Sequence, residues 1–223
     1  MTPNTLISRM WLALVGSALA ITQLHALDTD RADVQKLIGE MVTEHSFDRD
    51  SLTTTLAGAQ TQQSILDAIS RPAERVRQWH EYRQIFITPE RIKAGVQFWN
   101  EHQETLLRIS QDTGVPPEIL VGIIGVETYF GRITGRYKVL DALVTLGFDY
   151  PPRSKFFRRE LKEFLLLARE EELSIDETLG SYAGAMGSPQ FIPSSYRAYA
   201  KDGDGNERRD LFQSWPDIIA SVA

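Results

Sequence analysis

Apolar residues recur along this chain at helical spacing almost throughout. Val34, Leu37, Ile38, Met41 and Val42 fall at i, i+3, i+4, i+7 and i+8, one face of a helix, with Asp30 or Asp33 placed to cap it. Ser64 to Ile69 reads as a short helix, and Arg71-Pro72 opens the next with proline in its first turn. Thr88-Pro89-Glu90 combines a capping hydroxyl, a first-position proline and an acid in the first turn. The helix it starts carries Ile92, Val96, Trp99, Leu106 and Ile109 and should stop at Gly114. Pro116-Pro117-Glu118 opens another, which holds the uncharged run Ile119 to Val126.

The second half continues in the same way. Val139 to Leu146 reads as a short helix closed by Gly147, and Tyr150-Pro151-Pro152-Arg153 as a turn. Lys155 to Arg169 is amphipathic, with Phe157, Leu161, Phe164, Leu165 and Ala168 inward. Ser174 and Glu177 have capping-box spacing. Ser181 to Ser195, rich in Gly, Ser and Pro, reads as a loop with short helical pieces. Ser214 and Asp217 cap a last helix, Ile218 to Ala223, which ends without closure and so reads as truncated. No stretch reads as a strand, and the class expected is all-α.

Met1 to Ala26 depart from this pattern and read as an export signal. Arg9 is the positive residue, Trp11 to Ile21 the apolar run, and Ala26 the small residue before the cut. The run is shorter than the roughly 20 residues a spanning helix needs, so a stable membrane anchor is not expected. The mature chain would begin near Leu27.

Composition narrows the chemistry. The chain has 223 residues, fit for one or two domains, and a net charge of -6, which argues against a nucleic-acid partner. It has no cysteine, which excludes disulfides, thiolate metal sites, a Cys nucleophile and a lipid-bearing N-terminal Cys. Its four histidines are scattered; His80 and His102 lie in polar stretches and are expected to be solvated.

Two segments hold candidate chemistry. Glu127 ends the uncharged run Ile119 to Val126; desolvation there would disfavour its anion and suit a general acid. The plain alternative is an exposed residue on the last turn of a core helix. The small residues around Ala183-Gly184-Ala185-Met186-Gly187 allow close backbone approach, and Ser181 and Gln190 are uncharged hydrogen-bonders; the plain alternative is a surface loop.

Taken together, Gly125-Val126-Glu127-Thr128-Tyr129-Phe130-Gly131-Arg132, Leu140 to Leu146, and Ala183-Gly184-Ala185-Met186-Gly187 with Gln190-Phe191 and Pro193-Ser194-Ser195-Tyr196 resemble the lytic transglycosylase B family. The likeness runs in order from roughly Phe47 to Ala223. It implies a lysozyme-like core and cleavage of the β-1,4 bond between N-acetylmuramic acid and N-acetylglucosamine in peptidoglycan, leaving a 1,6-anhydromuramoyl end. It implies Glu127 as the lone acid/base, Ser181 as a hydrogen-bonder to it and Gln190 as a sugar contact. No cofactor is implied for catalysis. The organisation expected is a signal peptide at 1–26, an N-terminal helical region at 27–110 and a catalytic core at 111–223, in the periplasm. Glycan strands are the expected partner, with cell-wall remodelling proteins as further candidates.

The lone carboxyl agrees with that chemistry, since glycosidases that use two place them at set separations. Asp141 is the nearest alternative and is expected to cap or pair. Two features depart from the family pattern. Pro152 stands where members often have an arginine, leaving Arg153 as a substrate contact or a solvated turn charge. Many members also carry a lipid-bearing Cys. Asp202-Gly203-Asp204-Gly205-Asn206 lies where the family can have an EF-hand-like calcium loop. Asp202, Asp204, Asn206, the Arg208 carbonyl and Asp210 or Asp217 are the candidate ligands of a structural calcium ion. Glu207 and Gln213 break the pattern at its sixth and twelfth positions. Tyr129, Phe130, Tyr150, Phe156, Tyr182 and Tyr196 are candidate sugar platforms, with Tyr182, beside Ser181, the best placed. A hydrolytic muramidase and a silent peptidoglycan-binding scaffold remain the alternatives.

Overall fold

The computed structural model describes residues 24–71 and 78–223. Among them are ten α-helices and two small antiparallel ribbons. The helix expected to open at Pro72 lies outside the described residues, as do the first 23 positions.

The centre is α7 (Val139–Asp149), buried from Val139 through Phe148. It runs past the expected stop at Gly147. That glycine marks a close approach instead, since a Cβ there would lie 3.2 Å from Cγ of Arg158 on α8 (Ser154–Glu170). The five inward residues expected of α8 are all buried, each large one contributing about 1.5–3 kcal/mol. Between the two helices, Pro151–Arg153 forms a single 3-10 turn.

The N-terminal elements wrap onto this pair. α1 (Ala32–His45) buries Val34, Leu37, Ile38 and Met41 as its spacing requires. Its N-cap is Arg31, with no side-chain cap, and neither Asp30 nor Asp33 serves. Asp33 instead pairs with Arg31 and Arg158, tying α1 to α8. α2 (Arg49–Gly58), capped by Asp48, was not legible in the spacing.

The strands were not expected either. β1 (Leu24–Ala26) pairs with β2 (Gln60–Gln62), and α3 (Gln63–Ser70) follows. β2 is held mainly by α7: the Asp141 carboxylate accepts from the Gln60 backbone at 2.8 Å and the Gln62 side chain at 2.9 Å. Thr145 accepts from the Gln62 backbone at 3.1 Å. The two polar residues buried in α7 are therefore paired across 79 to 83 residues of chain, as buried polar groups must be.

On the far side, α4 (Trp79–Phe86) precedes α5 (Pro89–Thr113), capped by Thr88 and ended by Gly114 as expected. α5 kinks at His102. α6 (Pro117–Thr128) packs against it. β3 (Tyr137–Lys138) pairs with β4 (Leu179–Gly180). No helix starts at Ser174; its carbonyl closes a single turn with Glu177 and Thr178. α9 (Pro193–Tyr199) and α10 (Trp215–Val222) complete the described chain. One buried cluster, from Leu27 to Ile219, joins the expected N-terminal region to the expected core. Among the described residues no helix is long and apolar enough to cross a membrane.

Candidate active site

α6 is apolar on nearly every face but buries one stripe, Leu120, Ile124 and Thr128. Ile119, Ile123 and Val126 stay 51%, 40% and 47% exposed, and Glu127 lies exposed beside them. The expected desolvation of its carboxyl is therefore not met. The apolar residues around it face outward, uncovered among the described residues, instead of enclosing it. Glu127 also makes no hydrogen bond or ion pair among them.

The chain reverses sharply just past Glu127. Tyr129, Phe130 and Gly131 all have positive φ, at 53°, 58° and 76°. For the two non-glycine residues this costs on the order of 1–3 kcal/mol each. Several contacts hold the turn. The Phe130 ring sits where Gly125 leaves room, since a Cβ there would lie 2.8 Å from its Cζ, and it stacks on Phe98 with centroids 5.2 Å apart. The Tyr129 ring faces two guanidiniums, Arg91 at 4.5 Å and Arg132 at 4.8 Å. Arg91 also donates to the Gly125 carbonyl at 2.7 Å, a cation at the negative end of α6.

Thr128 fastens this turn to the Ser181–Ser195 loop. Its buried hydroxyl donates to the Ser188 carbonyl at 2.8 Å and accepts from the Gly131 backbone at 3.0 Å. The Gln190 side chain adds a second tie, donating to the Thr134 carbonyl at 2.9 Å and to Gly187 at 3.1 Å. A third is the β3–β4 pairing of Tyr137 with Gly180. Gly135 is needed there, because a Cβ would fall 2.1 Å from the Gly180 carbonyl oxygen. Inside the loop, Ser181 Oγ accepts from the Ala185 and Ala183 backbones at 3.0 and 3.3 Å, and its own proton stays free to donate.

The structure thus brings the end of α6, Ser181 and Gln190 into one stitched unit, without a direct bond from Glu127 to either. Tyr182 is exposed beside Ser181. The Arg153 guanidinium lies over the Phe156 ring at 4.3 Å and the Phe157 ring at 5.3 Å. Tyr196 is no sugar platform. It is fully buried, its hydroxyl donates to the Arg209 carbonyl and accepts from Leu211, and burial pushes its pKa up. His102 is not solvated as expected. It lies 4.5 Å from the Phe98 ring and 5.4 Å from that of Trp215, and burial lowers its pKa.

Two buried carboxylates are already engaged. Asp141 holds β2, as described. Glu160, 1% exposed, accepts from the Ser194 backbone and hydroxyl, each at 3.0 Å, at the start of α9.

In the acidic loop, carboxylate oxygens of Asp202, Asp204 and Asp217 lie within 4.8 Å of one another, a donor set suited to a hard cation. Burial of its oxygens pushes the Asp202 pKa up, but four backbone N–H groups outweigh this and hold it below the ordinary range. Asp217 also accepts from Gly203 and Asp210 at 2.8 Å each. Asn206 accepts from the Arg208 backbone at 2.9 Å, and Asp210 from the Phe212 and Gln213 backbones at 2.8 and 3.0 Å.

This helical, lysozyme-like architecture, with a carboxylate at the end of an apolar helix, defines a class that comparison with known proteins narrows. Residues 29–223 match the family model described as the transglycosylase SLT domain, and the chain belongs to that family. It is 44% identical over 200 residues to membrane-bound lytic murein transglycosylase B of Escherichia coli, covering 86% of this chain and 55% of that protein. The soluble lytic transglycosylase SltB1 of Pseudomonas aeruginosa is 56% identical, with a TM-score of 0.83 over 85% of this chain and 64% of that one. Escherichia coli Slt35, solved in complex with calcium, is 44% identical, with a TM-score of 0.82 over 89% of this chain and 64% of its own. The chain thus spans about half to two thirds of the length of these relatives.

Proposed function

We propose that this chain carries the catalytic glutamate of a peptidoglycan lytic transglycosylase acting in the periplasm. Glu127 protonates the glycosidic oxygen between N-acetylmuramic acid and N-acetylglucosamine as the C1–O bond breaks. The substrate's 2-acetamido carbonyl stabilises the positive charge at C1. The muramoyl 6-hydroxyl then attacks C1 and returns its proton to Glu127, closing the 1,6-anhydro ring without water. Ser181 orients the carboxyl, Gln190 and Tyr182 contact the sugars, and Arg153 meets a peptide carboxylate.

The observation that carries this reading is that Glu127, at the end of α6, is unencumbered, while the buried carboxylates Asp141 and Glu160 are engaged. Asp141 is committed to β2 and Glu160 to Ser194. A free carboxylate in this motif, with no second one bonded beside it, fits a reaction in which the substrate supplies the nucleophile. Family membership supports the same reading. Substrate bound over Ile119, Ile123 and Val126 would supply the dry surroundings that the free chain lacks.

The test is digestion of purified sacculi by Glu127→Gln, which keeps the shape and removes the proton. Turnover should fall by about 10²–10⁴-fold with binding kept. Full turnover by the variant would overturn the assignment. The exposure of Glu127 gives one alternative some support, a silent binding module. Retention on sacculi without release of muropeptides by the unaltered chain would favour it.

Asp202, Asp204 and Asp217 are proposed to hold a structural calcium ion, supported by their donor chemistry and by the calcium complex of Slt35. Cleavage of a signal peptide after Ala26 is proposed as well. It would remove β1, and β2 would stay anchored through Asp141 and Thr145.

A further inference from the structure

The groove between α1 and α8 has no part in the reaction above and shares no residue with it. Its volume is about 380 Å³. Five cations line it, Lys36, Lys155, Arg158, Arg159 and Lys162, against two acids, Asp33 and Glu40. A surplus of three positive charges is thus gathered on a chain whose net charge is -6.

The arrangement differs from an ordinary solvated helix face. Lys155, Arg158, Arg159 and Lys162 fall at i, i+3, i+4 and i+7 on α8, opposite the buried Phe157, Leu161 and Phe164. Exposed faces usually mix signs and gain from i,i+4 pairs, but this stripe is cationic throughout. The two acids are already used. Asp33 is shared between Arg31 and Arg158, and Glu40 is bound by Lys162, which holds its pKa below the usual carboxylate range. Lys155 has no ion pair among the described residues. Arg159, 63% exposed, has one ion pair among the described residues, Glu160 at 3.6 Å, and that carboxylate is committed to Ser194.

We propose that this groove is a second binding site, for an acidic peptide carrying two or more spaced carboxylates. From Lys155 to Lys162 the cations are spread over seven residues, about 10 Å of helix, a spacing that matches several carboxylates on one chain better than one compact anion such as phosphate. None of the large apolar residues exposed in this structure lies on α1 or α8, so the groove offers nothing to insert into a lipid surface. On the reading that the chain cleaves peptidoglycan, the natural source is the peptides borne by the glycan. The groove would then hold a peptide while Glu127 works on the sugar.

The test is fluorescence anisotropy of the full chain with a labelled tetraglutamate peptide, with inorganic phosphate and phosphatidylglycerol vesicles as competitors. Binding should weaken as salt rises. The double variant Lys155→Glu/Arg159→Glu, which changes exposed residues outside the catalytic machinery, should bind at least about tenfold more weakly with its melting temperature kept. Lys155→Gln/Arg159→Gln should show a smaller loss of the same sign. Glu127→Gln should bind the peptide like the unaltered chain, so loss of lysis and loss of peptide binding fail separately. Absence of binding at low salt, equal binding by both double variants, or displacement of the peptide by phosphate or vesicles at matching concentrations would each overturn the proposal.

Discussion

Thr128→Val removes one hydroxyl and almost no volume, so it isolates the tie between α6 and the loop of Ser181 and Gln190. The hydroxyl is 1% exposed and makes two bonds, to the Ser188 carbonyl at 2.8 Å and from the Gly131 backbone at 3.0 Å. The substitution leaves a buried acceptor and a partly buried donor without a partner. Each orphaned group costs about 1–3 kcal/mol, and partial access to water at Gly131 puts the total at about 2–4 kcal/mol. For a chain of this size that lowers the melting temperature by roughly 5–15 °C. The loop would also lose its register on the end of α6, so turnover on sacculi should fall further than binding. Thr128→Ser keeps both bonds and should restore most of the stability and the turnover. Circular dichroism melts beside a sacculus-release assay read both effects. If Thr128→Val melts within about 1 °C of the unaltered chain, the hydroxyl does not fasten the loop and the argument fails.

Glu160→Leu should cost about 1–3 kcal/mol in urea denaturation, because it leaves the Ser194 backbone N–H and hydroxyl without their acceptor. A change below about 0.5 kcal/mol would show that the start of α9 does not need it. The folded-state pKa of His102 lies below its ordinary 6.5, so the unfolded chain binds the proton first. Its contribution to stability is complete above 6.5 and is lost as pH falls; His102→Gln should flatten that loss in melts across this window, and an unchanged slope would count against a half-buried imidazole. Calcium should raise the melting temperature, a chelator should reverse the gain, and Asp202→Asn/Asp204→Asn should abolish it. Indifference of the unaltered chain to both would remove the metal.

Helical periodicity made α1 and α8 legible down to their buried faces, and caps and breakers marked α5 and α6. It failed where tertiary contacts override local pattern. Gly147 reads as a stop but lies inside α7, where a close-packed arginine needs the space. β2 consists of three polar residues, held extended by pairing with β1 and by Asp141 and Thr145, some 80 positions later. His102 reads as solvated because the Trp215 ring it meets comes from α10. The motifs single out Glu127, Ser181 and Gln190 as candidates, and the structure ties their segments together. The predicted shielding of Glu127 was wrong. An apolar run shows that a helix is greasy, and it does not show which face is covered. Arg91 was out of reach for the same reason, since its partner Gly125 lies 34 residues on.

The central claim is that the substrate's own hydroxyl, and not water, closes the reaction at Glu127. Sacculi should be digested with the purified chain in heavy-oxygen water and the released muropeptides weighed by mass spectrometry. The account predicts anhydro products, one water lighter than hydrolysed ones, carrying no heavy oxygen. Products with a reducing muramic acid end labelled from the solvent would contradict it.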